Sequence, residues 1–562
     1  MWMALFTVLG TATEYWLGAS QKEATGLFVD ATVESGIDFV HDNGATGDLL
    51  LPEITGAGGA LFDYDNDGDL DVYAVQGAAL TPGVSRPAPP RDRLYRNDGG
   101  RFTDVTERSG IAAFGYGMGA ATGDFDNDGW IDLYVTNLGS NQLFRNNGDG
   151  SFSDVTTAAG ADDPRWSTSA TFFDYDRDGW LDLFVVNYVD FSVEMKRACF
   201  SKGSARDYCN PDAYDPVPAR LLHNDGNGRF SDVSLTSDIG RIAGRGLGVV
   251  AADLNDDGWL DLYVANDGDP NRLWINQGGS GVFTDEGLLA GVAVNRVGQA
   301  EGGMGVDAAD FDRDGDDDLF VTNLDNESNT LYVGVGPGLF EDRTIEAGLL
   351  RPSIGMTGFG TRFVDYDNDG WLDLVVLNGA VRHLEGQLRQ GDPYPLRQRN
   401  QLFRNDGRGR FVDLTDAAGP AFATLDVSRG AALGDLDNDG DADLVVFNNN
   451  GPLRVLRNDA AGGHHWIGAR VIDRQHRRDA LHARVELVKT AGAAQWQRVH
   501  TDGSYCAASD PRVQFGLADD ETSQTLRVHW LDGRVDEYPG LAVDRYWVLD
   551  GGTARAVTSN EP

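Results

Sequence analysis

Asp63, Asp65, Asp67, Asp69 and Asp71 place five carboxylates within the nine residues DYDNDGDLD. Like charges this close repel unless a cation sits among them. Asp63, Asp65 and Asp67 occupy alternate positions, Gly68 permits a sharp backbone turn, and Asp71 returns to close the set. Oxygen donors at that spacing suit a hard divalent ion, and calcium is the ion they suit best.

The pattern shortens that of an EF-hand loop, with oxygen ligands at positions 1, 3 and 5, a glycine at 6, a backbone carbonyl at 7 and a closing acid. A single copy would read equally well as an acidic surface turn, but this stretch recurs six more times. The candidate ligands at positions 1, 3, 5, 7 and 9 are Asp124, Asp126, Asp128, Trp130 and Asp132 in the second copy, and Asp174, Asp176, Asp178, Trp180 and Asp182 in the third. Asp253, Asn255, Asp257, Trp259 and Asp261 form the fourth, and Asp310, Asp312, Asp314, Asp316 and Asp318 the fifth. Asp365, Asp367, Asp369, Trp371 and Asp373 follow, then Asp435, Asp437, Asp439, Asp441 and Asp443. Position 7 alternates between Trp and Asp, as expected where only the backbone carbonyl is used. The spacing therefore predicts up to seven calcium ions.

The elements that must hold these loops repeat with them. A small-residue run such as GMGAATG or GLGVVAA precedes each loop, and an apolar strand such as LYVTN or LFVVN follows. A third strand, as in QLFRNNGDG, then turns at glycine into a fourth, as in SFSDVTTAAG. Each unit is four short strands, and such units in series predict an all-β fold, a seven-bladed β-propeller with a calcium loop in every blade. The seventh unit lacks its fourth strand. FVDATVESGI from Phe28 aligns with FTDVTERSGI from Phe102, the fourth strand of the first unit, so residues 28–37 are expected to close the ring by pairing around Val29 and Val455. This divides the chain into an extension or imperfect signal segment at 1–26, the propeller at 27–458, and a small β-sandwich-like domain at 459–562.

The formal charge is −42. Residues from Asp459 onward carry 12 basic and 15 acidic side chains, net −3, so the first 458 residues hold −39. Seven divalent ions would bring +14, leaving about −25, a balance that disfavours nucleic acid and anionic membranes. Cys199 and Cys209 sit in one long insertion and read either as a disulfide or as two buried thiols; Cys506 reads as a small buried residue. A bridge and weak calcium loops together suit an extracellular or periplasmic setting. The start of the chain has an apolar run, Met1 to Leu9, without a preceding basic residue, and no stretch approaches a membrane span.

The loops between small-residue and apolar strands resemble FG-GAP or VCBS-type repeats. More narrowly, GIDFVHDNGATG, LPEITGAGGALFDYDNDGDLDVY, DYCNPDAYDP and GSYCAASDPRVQFGL resemble the cartilage acidic protein family with its ASPIC/UnbV C-terminal domain, over about residues 27 to 550. The resemblance implies a calcium-binding seven-bladed propeller followed by a small β domain, usually secreted, and supplies no activity. Asp317 departs from the pattern, standing where the other loops have Leu, Ile or Ala. Cys506 also departs from it, at a position where a less reactive residue is expected.

Catalytic chemistry needs a nucleophile or an acid and base converging on a pocket. His41 and Glu53, on the connection into the first unit, are candidates whose simpler readings are a turn-stabilising imidazole and a solvated carboxylate. Arg382, His383, Arg389, Arg397 and Arg399 form a basic excursion that would either meet an anionic glycan or pair with neighbouring acids. Six of nine histidines, His464, His465, His476, His482, His500 and His529, lie in the C-terminal domain at spacings that match no recognised metal site. No catalytic residue is assigned. The favoured reading is a non-enzymatic binding or adhesion module for protein or carbohydrate, with calcium stiffening loops that display a recognition surface at one mouth of the ring. The other is a calcium-dependent polysaccharide lyase or hydrolase, or an enzyme of specialised metabolism, marked by convergent His, Tyr and Arg groups in a mouth pocket.

Overall fold

The computed structural model describes residues 27–81, 90–195, 197–201, 205–460, 462–489 and 495–557; the expectation for 1–26 lies outside them. The architecture is all-β. In the second unit, Tyr116–Gly123 pairs antiparallel with Asp132–Leu138, which pairs with Gln142–Asn146, which pairs with Phe152–Asp154. The loop from Asp124 thus joins the first two strands. Leu133, Tyr134 and Val135 are all fully buried, because neighbouring sheets cover both faces of these strands.

Seven sheets built this way follow one another among the described residues. Their first strands are Gly59–Phe62, Tyr116–Gly123, Ser167–Phe173, Gly246–Ala252, Val306–Ala309, Gly358–Val364 and Ser428–Gly434. Each contacts the next, and the last contacts the first. The seventh sheet takes its fourth strand from the start of the described chain: Phe28–Asp30 pairs with Arg454–Asn458, Val29 facing Arg457 and Asp30 facing Leu456. The pairing falls where the sequence places it, although the strand is only three residues long. A helical turn, Thr32–Ser35, follows it and ends on Gly36 at φ 91°, as Thr106–Ser109 follows Phe102–Asp104 and ends on Gly110 at φ 73°. Asp30 and Asp104 each accept the N–H and hydroxyl of the threonine two residues on, so one Asp-x-Thr signature builds both ends.

The C-terminal region forms two sheets. One centres on His465–Asp473, flanked by Val513–Ala518 and by a parallel Tyr546–Asp550; the other orders Gln495–Arg498, Arg484–Leu487, Gln524–His529 and Val535–Leu541. Ile467, Val471, Val485, Leu526 and Leu549 are packed between them. Val535–Leu541 and Thr553–Ala556 are edge strands of these sheets.

This region is not a separate appendage. Its segment 501–509 lies among the first strands of all seven units. The Cys506 carbonyl accepts from Gly59 N–H (3.1 Å), Val306 N–H donates to Ser504 O (3.0 Å) and Gly503 N–H donates to Val249 O (3.2 Å). Thr501 Oγ1 donates to Thr122 O, Cys506 N–H to Ser169 Oγ, Arg362 Nη1 to Asp502 O, and Ala431 N–H to Ser504 Oγ. Ala507–Ala508 adds a fifth, parallel strand to the first sheet. The small-residue runs now have a cause: a Cβ on Gly58 would lie 2.0 Å from the Cys506 carbonyl oxygen, and one on Gly119 2.6 Å from it.

Candidate metal sites

In every unit the closing carboxylate at position 9 is fixed by two backbone N–H donors, one from position 2 of its loop and one from the end of the third strand. Asp132 accepts from Phe125 (3.0 Å) and Asn146 (2.8 Å); Asp71, Asp182, Asp261, Asp318, Asp373 and Asp443 repeat the pair. Position 5 accepts the N–H of position 7 in all seven loops, for example Asp128 from Trp130 at 3.0 Å. Position 1 turns back to the N–H of glycine 6, as Asp124 does to Gly129 at 2.8 Å. The Trp130, Trp180, Trp259 and Trp371 indoles lie against the glycine turns at Gly148, Gly226, Gly279 and Gly407.

These bonds aim the remaining oxygens inward. Ligand atoms of Asp63, Asp65 and Asp71 lie within 4.8 Å of one another, as do those of Asp124, Asp126 and Asp132, of Asp174, Asp176 and Asp178, and of Asp310, Asp312 and Asp318. The position-3 oxygens of Asp65, Asp126, Asp312 and Asp367 are buried without a hydrogen-bond partner, as are the position-1 oxygens of Asp174 and Asp365. A buried carboxylate oxygen without donor or cation is costly, so the donor set fits a hard divalent cation. Burial, with the neighbouring carboxylates adding to it, pushes Asp124 and Asp310 up to about 7 and Asp261 up to about 8. Burial likewise raises Asp132, Asp318, Asp365, Asp373 and Asp443 well above the usual carboxylate range. The Asn255 carbonyl, which replaces a carboxylate in the fourth loop, accepts Asp257 N–H at 3.1 Å.

Two kinds of tie that sequence reasoning missed link loops to their neighbours. The asparagine ending the third strand donates its amide to the position-2 carbonyl of the preceding unit: Asn146 to Tyr64, Asn224 to Phe125, Asn276 to Tyr175, Asn405 to Phe311, Asn458 to Tyr366 and Asn97 to Leu436. The fifth unit has Gly334 there, and Gly338 N–H reaches Leu254 O instead (3.2 Å). Position 4, in the left-handed region throughout, reaches forward: Asn66 to Gly129 O, Asn127 to Gly179 O, Asn368 to Gly440 O, and Arg313 to Gly370 O. Both signals stand in the sequence as repeated residues, but their meaning requires the neighbouring unit.

The loops form the platform on which the C-terminal domain sits. Arg470 approaches Asp63 (3.5 Å), Arg478 bonds Asn127 (2.9 Å), and Arg512 bonds the Asp435 carbonyl (3.0 Å). Tyr546 donates to Asp435 Oδ2 (3.1 Å), and Gln495 donates to the Gly370 carbonyl (2.6 Å). Asp317, the departure in loop five, pairs with Arg498 (3.2 Å) and so serves docking. Much of the loop face is therefore covered by the C-terminal domain.

His41, Glu53 and the basic excursion lie on the opposite side. His41, Glu53, Tyr116, Tyr208, Tyr394 and Arg429 come together there, all buried. Burial pushes Glu53 up to about 7 and His41 down to about 3. Glu53 is thus not the solvated carboxylate of the simpler reading: it is 1% exposed. Cys199 and Cys209 are disulfide-bonded, and Cys506 is buried. The arginines of the basic excursion are already partnered: Arg382 with Asn210, Arg389 with Glu385, Arg397 with Asp392 and Arg399 with Asp416. His383 pairs with Asp207 (3.2 Å). The six C-terminal histidines have separate partners: Asp367 O, Asp544, Asp473, Phe172 O, Asp502 and Glu486 in chain order.

Repeats with this loop, strand order and period match the FG-GAP-like repeat over residues 63–135, 124–185, 210–264, 253–321, 310–376 and 394–446, more than half of the chain. The chain belongs to the FG-GAP-like repeat family. The ASPIC and UnbV family matches residues 473–556 of this FG-GAP protein. Cartilage acidic protein 1 of Homo sapiens is 28% identical to it over 315 residues, 54% of this chain and 43% of the human protein. The Mus musculus protein of that name is 29% identical over 301 residues, 52% of this chain and 42% of that one. The FG-GAP chain thus matches less than half the length of these relatives. Among solved structures, a chain of an Agrocybe aegerita lectin that recognises non-reducing terminal N-acetylglucosamine shows 18% identity and a TM-score of 0.35, covering 64% of this chain and 79% of that one.

Proposed function

We propose that the protein is a calcium-binding, seven-bladed β-propeller, exported to an oxidising compartment, that acts as a non-enzymatic binding or adhesion module for a protein or carbohydrate. The observation that carries this reading is the set of buried, unpartnered carboxylate oxygens aimed at one point in successive loops. Calcium would be held by positions 1, 3, 5 and 9 with the position-7 carbonyl, and would supply the positive charge that these oxygens lack. The chain's own contribution is rigidity. Position 9 ties each loop to the third strand of its own blade, in six units the asparagine clamp ties that strand to the preceding loop, and the closing strand Phe28–Asp30 ties the last blade to the start of the described chain.

Recognition belongs to the side opposite the calcium loops, since the loop side supports the C-terminal domain. There the insertions carrying Tyr208, His383 and the connection at Asp48 interlock: Arg206 donates to Asp48 O (2.8 Å) and His383 N–H to Asp207 (3.3 Å). The disulfide supports export, and no helix among the described residues is long and apolar enough to cross a membrane. A second reading, a calcium-dependent enzyme, is favoured by the convergence of His41, Glu53, Tyr208 and Arg429, but these groups are buried beneath the interlocked insertions, so it stands second. A glycan array and a pull-down, each run with calcium and with chelator, test the binding reading. Calcium-dependent retention of one ligand class is expected. Turnover of a polysaccharide that is lost in Glu53→Gln would overturn it in favour of the enzyme.

A further inference from the structure

Seven copies of one loop act as controls for each other, and the third differs. The residue before the third-strand asparagine, or before Gly334 in the fifth unit, differs between units. It is Arg96, Arg145, Arg404 or Arg457 in four units, Ile275 and Val333 in two, and His223 in the third unit. His223 Nδ1 lies 3.1 Å from Asp182 Oδ1 and 3.6 Å from Asp176 Oδ2. Ligand atoms of Asp176, Asp182 and His223 fall within 4.8 Å of one another, as do those of Asp174, Asp176 and Asp178. Asp174 is 7% exposed, and its Oδ1 has no partner. In the first, second, fourth, fifth and seventh loops the corresponding oxygen accepts the N–H of position 5; in the third, Asp178 N–H goes to Asp176 instead (3.3 Å).

We infer that the third loop is a mixed nitrogen and oxygen site that selects a first-row divalent ion of the manganese-to-zinc class, with His223 Nδ1, Asp174, Asp176 and Asp182 as its ligands. Calcium gains little from an imidazole, because it is a hard ion that takes oxygen donors; manganese, cobalt and zinc accept carboxylate and imidazole together. An arginine at this position has no lone pair to give. The four arginine-bearing units therefore cannot make such a site, and the two apolar ones offer no donor. The His223 side chain is 26% exposed, which gives an ion a route in from solvent.

The inference deepens the calcium-loop reading and rests on it. Full-length protein in excess calcium is titrated with Mn2+, and the tightest equivalent is examined by electron spin-echo modulation for coupling to an imidazole nitrogen. Nitrogen coupling is expected in the native protein. His223→Arg, which installs the residue that four other units already use and so keeps the fold, should abolish the coupling and weaken that equivalent by about tenfold or more. Calcium stoichiometry is counted separately by equilibrium dialysis. A tightest equivalent without nitrogen coupling, or one that His223→Arg leaves unchanged, overturns the inference while the calcium reading stands. Nitrogen-coupled manganese in a protein that binds no calcium keeps the third site and fails the calcium reading instead.

Discussion

Position 9 carries the largest demand of any residue in these loops. Asp132 is fully buried, accepts two backbone N–H bonds, and faces Asp124 and Asp126. With an ion present, Asp132→Asn should destabilise the protein by about 3 kcal/mol, the scale of losing charge-assisted buried bonds, as read from urea unfolding in calcium. In chelator the same change should cost less, because there is no ion contact to lose and only a backbone N–H bond is given up. Glu53 yields a pH test. Its folded value of about 7 stands above the ordinary 4.5, so the folded state holds a proton that the unfolded chain releases. The stability this contributes is present below about pH 4.5 and lost as pH rises through about 7. Between those limits the melting temperature of native protein should fall more steeply than that of Glu53→Gln, and parallel curves would contradict the buried carboxyl. That the loop carboxylates converge was legible in sequence because seven copies align one another. The burial of Glu53 was not legible, since it depends on Tyr208 and Tyr394 arriving from insertions far along the chain.

At the scale of elements, four short strands per unit and the borrowed closing strand were readable from Phe28, Asp30 and Thr32 matching Phe102, Asp104 and Thr106. The path of 501–509 was not. DGSYCAASDP shows only small and polar residues, and nothing local says that these residues meet the first strands of seven distant units. The glycines in those strands held half of the message: their small size called for a close neighbour without naming it. Gly119→Val should displace this segment, because its side chain would enter the space of the Cys506 carbonyl. Cys506 reports the displacement. In the native fold its thiol is buried and pushed up to about 12, so a thiol reagent should leave it untouched. In Gly119→Val it should label at a rate approaching that of the unfolded chain, and equal protection in the two proteins would count against the threaded path.

Over the whole molecule, charge and docking are one problem. The first 458 residues carry −39, and the C-terminal domain brings Arg470, Arg478, Arg498 and Arg512 against the loop belt. The arginines are too few to balance that charge, and several loop oxygens remain buried without a partner; on the proposed reading, bound calcium supplies the positive charge that these oxygens lack. The belt, the domain on it and the threaded segment should therefore melt together when ions are withdrawn. The most direct measurement is calorimetry on protein whose bound metal has been counted, scanned with calcium and with chelator. Several calcium equivalents per chain and a fall in melting temperature on the order of 10 °C upon chelation are predicted. Protein that carries no calcium and gives superimposable scans would contradict the account.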